Sequence, residues 1–177
     1  MAVWTHIAHD SLSLPAASVT WSSISGSYDH LLIKVSARTD VNSRYSKVYI
    51  QFNGDSTSGD YSNTYLYAGT ASVGSARDNS ENYIDNLYVA CGSQAAADTF
   101  GAGEIWIPNY ANSSNFKSVI CSGTQENDSS DDWDWMLTVL AGLWQNTDAI
   151  TQIDLTTNAA SDYQAYSTFD LYGITGA

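Results

Sequence analysis

The chain has 177 residues, 44% of them hydrophobic and 12% aromatic, which is enough for one packed domain and too apolar for intrinsic disorder. Six Lys and Arg against 19 Asp and Glu give a formal net charge of −13 at pH 7, a surface that repels phosphate and sets aside nucleic acid and anionic lipid as partners. With only 14% charged residues and two cysteines, neither a coiled coil nor a disulfide scaffold fits.

The N-terminus, Met1-Ala2-Val3-Trp4-Thr5-His6, carries neither the basic nor the apolar region of a signal peptide. Residues 1–15 read as an N-terminal arm or edge strand, with strand character from Trp4 to Leu12. His6 and His9 are three apart, so in a regular strand they point to opposite faces and form no shared metal or catalytic site. A second strand is expected over Val19–Ile24. Leu31, Ile33, Val35 and Ala37 then form an inward row against Leu32, Lys34, Ser36 and Arg38, and Val48, Ile50 and Phe52 alternate with Tyr49, Gln51 and Asn53. Asn53-Gly54-Asp55 and Ser58-Gly59-Asp60 supply turn chemistry.

Thr64–Tyr67 reads as the next strand and Ser72–Asn82 as a long surface loop. Strands follow near Tyr83–Ala90, Phe100–Ile107 and Phe116–Gly123, then a loop over Glu126–Asp132. Trp135, Leu137, Val139, Ala141 and Leu143 are assigned inward. The opposite row, Met136, Thr138, Leu140, Gly142 and Trp144, is also largely apolar, so this strand is expected to be covered on both faces, by its own fold or by another subunit. Ala149–Thr157 and Thr168–Ile174 close the series, and Pro15 and Pro108 fall at strand ends, where a missing N–H does least harm. About ten short strands separated by turns predict an all-β fold: two antiparallel sheets packed as a jelly-roll-like β-sandwich, a single domain over residues 1–177. The longest apolar run, Met136 to Trp144, is well short of the ~20 residues of a membrane-spanning helix.

Residues that carry chemistry are sparse. No G-x-S-x-G elbow is present, and the glutamates number three, Glu81, Glu104 and Glu126, without the paired acidic spacing of a glycosidase strand. No catalytic, cofactor-binding or metal-binding residue is therefore assigned. Cys91 and Cys121 are expected as buried free thiols in neighbouring strands, with a disulfide between them as the alternative. The acidic stretch Asp128-Ser129-Ser130-Asp131-Asp132-Trp133-Asp134 reads as a solvated loop, with calcium as the alternative, although the EF-hand spacing is missing. Trp133 and Trp135 share a strand face beside that loop. Asp131, Trp133, Trp135, Leu140 and Trp144 are the candidates for a subunit interface or for a glycan platform.

Several segments carry a resemblance in their order and spacing. They are Ser18-Val19-Thr20-Trp21-Ser22-Ser23-Ile24, Tyr28-Asp29-His30-Leu31, Val35-Ser36-Ala37-Arg38-Thr39, and Phe52-Asn53-Gly54-Asp55 with Tyr61-Ser62. Further on come Ala141-Gly142-Leu143-Trp144, Ala149-Ile150-Thr151 and Phe169-Asp170-Leu171-Tyr172-Gly173-Ile174. From Trp4 to Ile174 the chain resembles a family of bacteriophage virion proteins. The resemblance implies a β-sandwich module on the particle, in a capsid or tail setting, and supplies no catalytic residues. The departures lie mainly in the loops, notably Gln125 to Asp134, which would set the partner.

The expected function is a non-enzymatic virion structural protein, a capsid decoration or cement protein that binds and stabilises the outer shell. Its expected partners are the major capsid protein and copies of itself, with a homotrimer favoured. The chain begins with its own methionine, shows no shaft repeats, and is acidic in a way that suits a surface facing away from packaged DNA. The alternative is a tail-associated receptor-binding or carbohydrate-binding module.

Overall fold

The computed structural model describes residues 1–69, 73–127, 136–158 and 160–176. These residues contain no helix and form twelve strands: β1 (Val3–Ser11), β2 (Ser18–Trp21), β3 (His30–Arg38), β4 (Tyr45–Phe52), β5 (Tyr61–Ala68), β6 (Val73–Glu81), β7 (Ile84–Cys91), β8 (Gly101–Pro108), β9 (Lys117–Gln125), β10 (Met136–Trp144), β11 (Ile153–Thr156) and β12 (Thr168–Thr175). Period-two sequence explains most of them. In β9, Lys117, Val119, Cys121, Gly123 and Gln125 are buried while Ser118, Ile120, Ser122 and Thr124 are exposed.

All twelve strands belong to one hydrogen-bonded sheet, ordered β2-β11-β4-β7-β3-β8-β9-β10-β5-β6, with β1-β12 joined to β3. The sheet is mixed because β3 and β7 run parallel, pairing only at Ala37–Ala90 and Arg38–Cys91. Along the same edge of β3, β12 pairs with residues 30–36, so β7 takes over where β12 ends. The eight strands β1-β12-β3-β8-β9-β10-β5-β6 form one antiparallel run, and the arm β2-β11-β4-β7 leaves it at that junction. β7 then packs across β8, β9, β10 and β5.

Close approach on this inner face is secured by missing side chains. A Cβ on Gly123 would stand 1.9 Å from Val89 Cγ1, and one on Gly103 would stand 2.3 Å from the same atom. The core between arm and run is continuous, from Ile33 and Val35 of β3 through Val48, Ile50 and Phe52 of β4 to Leu140 and Trp144 of β10. At the end of β4, Asn53 and Gly54 both take positive φ (54° and 67°), and Asp55 N–H closes the turn on Phe52 O at 2.9 Å.

The inward row of β3, Leu31, Ile33, Val35 and Ala37, is buried as its alternation requires. Three expectations need correction. Residues 73–81 form strand β6 where a loop was expected. Its sequence, VGSARDNSE, shows no apolar alternation because β6 is an edge strand, paired among the described residues only with β5. The described residues form twelve strands, more than the ten or so expected. Finally, β10 is inverted: Met136, Thr138, Leu140, Gly142 and Trp144 face the core, while Leu137, Val139 and Ala141 face out. With both rows apolar, alternation alone could not choose between them.

Candidate functional site: an open sheet face and a tyrosine cleft

The outward face of the eight-strand run can be followed by register. One row runs His6, Tyr172, Leu32, Trp106, Ile120, Ala141, Thr64 and Arg77. The next runs His9, Asp170, Lys34, Glu104, Ser122, Val139, Leu66 and Ser75. A third runs Ser11, Thr168, Ser36, Ala102, Thr124, Leu137, Ala68 and Val73. Ile120, Leu137, Val139, Leu66 and Val73 are all exposed, and Val139 lies directly opposite Leu66. Large apolar side chains thus form a contiguous patch across β9, β10, β5 and β6, where a solvated sheet face normally carries polar ones. Charged side chains on these rows are few: the Lys34 ammonium is paired with Glu104 at 2.6 Å, Asp170 is the other carboxylate, and Arg77 stands exposed on β6 at the end of the first row.

Of the residues singled out from sequence, Leu140 and Trp144 are fully buried, which removes them as interface or ligand contacts. Trp144 packs on Phe52 (5.5 Å between centroids) and Tyr61 (6.4 Å), and donates its indole N–H to Asp55 Oδ2 at 2.7 Å. Their strand nevertheless contributes to the open face through its opposite row. Asp131, Trp133 and Trp135 lie outside the described residues, as does the whole acidic stretch from Asp128 to Asp134. Cys91 and Cys121 are both free and buried, and burial pushes both thiols up, away from reactivity.

Sequence reading missed a second feature. Tyr45, Tyr65, Tyr67, Ala76, Tyr88 and Met136 line a cavity of about 290 Å³ where the β5–β6 hairpin meets β4 and β7. Tyr45 and Tyr88 meet edge-on at 5.6 Å, and Lys47 Nζ stands 5.4 Å over the Tyr88 ring. Lys47 also donates to Asn86 Oδ1 at 2.7 Å and to Asp85 Oδ2 at 3.2 Å, and Asn86 Nδ2 donates to Asp78 Oδ2 at 2.5 Å. Burial, then the neighbouring Tyr45 and Asp85, push the Tyr88 phenol up to about 12, so it stays a neutral donor. The available signal was Tyr65 and Tyr67, two apart in one strand and hence on one face.

The assignment of His6 and His9 to opposite faces is overturned. The β1–β12 register shifts between His6 and Ala8, a bulge that absorbs one residue. His6 then sits opposite Tyr172 and His9 opposite Asp170, on the same face. Both imidazoles reach Asp170 Oδ1, His6 Nε2 at 3.1 Å and His9 Nδ1 at 2.7 Å.

The chain matches no protein-family model and no curated protein.

Proposed function

We propose that this is a non-enzymatic structural protein of a bacteriophage particle, a decoration protein that docks on the outer shell through the open face of β9, β10, β5 and β6. The carrying observation is the exposed apolar patch of Ile120, Val139, Leu137, Leu66 and Val73 on a chain of net charge −13. Such a patch gains free energy when water leaves it, and its low charge lets a neighbour cover it without stranding ions. The phage setting rests on the sequence resemblance. The occupant is a shell subunit with an apolar face of its own, since the patch offers little charge to a basic one. Neighbouring copies meeting as a trimer extend the same contact. We read the fold itself as a jelly-roll-like sandwich, with the arm β2-β11-β4-β7 as the second layer.

Binding only to the assembled lattice shifts the equilibrium away from disassembly. The test is to strip or delete the protein and heat the particles. Release of DNA at lower temperature supports the reading, and unchanged release overturns it.

A second reading has its own observation, the tyrosine cleft. Tyrosine rings beside the Lys47, Asp85, Asn86 and Asp78 network are the chemistry that grips a sugar, apolar faces against ring carbons and polar groups against hydroxyls. Loss of host adsorption on Tyr88→Ala, with shell stability unchanged, would favour a glycan-binding role.

A further inference from the structure

We propose that His6, His9 and Asp170 form a binding site for a divalent first-row transition-metal ion, with Zn²⁺ as the reference ion. The donor atoms His6 Nε2, His9 Nδ1 and Asp170 Oδ1 lie within 4.8 Å of one another. Metal–ligand bonds of about 2.0–2.2 Å in a tetrahedron put ligand atoms about 3.3 Å apart. The His6–Asp170 and His9–Asp170 separations of 3.1 and 2.7 Å need only small adjustments to reach that spacing.

The bulge at Ile7 builds the site. Without it, His9 would turn to the opposite face, and the strand would present one imidazole beside Asp170. The backbone ladder on both sides of the bulge fixes the relative placement of all three residues: His9 pairs with Asp170 and His6 with Tyr172. Nearby charge does not compete for the carboxylate. Lys34, the residue opposite Asp170 on β3, places its ammonium on Glu104 at 2.6 Å.

Two imidazole nitrogens and one carboxylate oxygen select against Mg²⁺ and Ca²⁺, which prefer all-oxygen shells, and suit Zn²⁺, Cu²⁺, Ni²⁺ or Co²⁺. Binding needs a lone pair on each coordinating nitrogen, so each neutral ring carries its proton on the other nitrogen once the ion is bound. The side chains of His6 and His9 are 49% and 47% exposed, so ions reach the site from solvent and water or a neighbour's donor completes the shell. A bound ion cross-links edge strand β1 to β12, at the margin of the open face.

The test is calorimetric titration of the intact protein with ZnCl₂, with MgCl₂ and CaCl₂ as controls, alongside the visible spectrum of the Co²⁺-loaded protein. One Zn²⁺ per chain is expected, with a rise in Tm and Co²⁺ bands of a low-coordinate nitrogen–oxygen site. His6→Ala and His9→Ala should each weaken Zn²⁺ binding by at least the roughly 10–100-fold seen when even an outer partner of a metal ligand is lost. Asp170→Asn should weaken it too, and all three variants should keep the wild-type far-UV spectrum. No Zn²⁺ binding to the wild type would overturn the proposal. So would equal binding by wild type and the His6→Ala/His9→Ala double variant, which would mean diffuse attraction to an acidic surface.

Discussion

The indole N–H of Trp144, at the end of β10, donates to Asp55 Oδ2 at 2.7 Å, in the turn that follows β4. This contact joins the long antiparallel run to the arm. Tyr61 reinforces it: its hydroxyl accepts from Phe52 N–H at 3.0 Å and donates to Asp55 O at 3.1 Å, while its ring stacks on Trp144. A large aromatic suited to an outside contact is instead spent on closing the core, because its one polar atom finds a carboxylate inside the same fold.

Asp55→Ala should therefore destabilise the protein by about 1–3 kcal/mol, because it leaves a buried indole N–H without its acceptor. Urea unfolding followed by tryptophan fluorescence measures this. A loss under about 0.5 kcal/mol, the usual surface effect, would mean that water replaces the carboxylate at no cost.

The same pair predicts an acid dependence. Burial pushes the Asp55 carboxyl up, but hydrogen bonds from the Trp144 indole, from Thr57 and from Asp60 outweigh it and hold the group below its ordinary 3.8. A carboxyl depressed by folding contributes stability that is fully present above its unfolded value and is lost as pH falls through the folded one. Asp60 is raised, by desolvation and by the Asp55 charge, so its own contribution has the opposite sign and appears on protonation. Between pH 5 and pH 2 the wild type should lose stability more steeply than Asp55→Asn. Parallel curves would rule out a depressed Asp55.

Leu140 and Leu137 separate the two faces of β10. Leu140→Ala should cost roughly 2–5 kcal/mol through lost burial and a cavity. Leu137→Ala should stay within about 0.5 kcal/mol, since that side chain is 54% exposed. The reverse ranking in chemical denaturation would restore the inward assignment made from sequence.

How far sequence carries is visible in particular strands. The row Leu31, Ile33, Val35, Ala37 was legible because its partner row holds Lys34, Ser36 and Arg38, so one face alone could be buried. In β10 both rows are apolar, and the choice depended on what the rest of the chain covers. β6 was invisible because an edge strand needs backbone pairing but no apolar stripe. The His6–His9 pairing was invisible because a bulge adds one residue at Ile7 without a glycine or proline to announce it. The tyrosine cleft joins β4, β5, β6 and β7, and no local pattern encodes that meeting.

Gly123 tests the packing of β7 on the long run. A side chain there would meet Val89 Cγ1 at 1.9 Å, in backbone that cannot move without breaking the β8–β9 ladder. Gly123→Ala should cost about 1–3 kcal/mol, the usual penalty of overpacking. Gly123→Ala with Val89→Ala should recover part of it, because the second change removes the clashing methyl. A double variant as unstable as the sum of the singles would place the strain elsewhere.

Ile120→Glu and Val139→Glu each put a charge into the exposed patch without touching the core, so stability should change by only about 0.5 kcal/mol or less. Binding should suffer far more, because docking would then bury an unpaired carboxylate against apolar surface. Particles lacking the protein, mixed with purified wild type or variant, give the readout by co-sedimentation. Wild type should bind, and both Glu variants should stay in the supernatant. Raising the salt should leave wild-type binding largely intact, since contacts made by Ile120, Val139 and Leu66 are not screened as ion pairs are. Binding that survives both substitutions but falls with salt would move the contact off this face and onto the acidic surface.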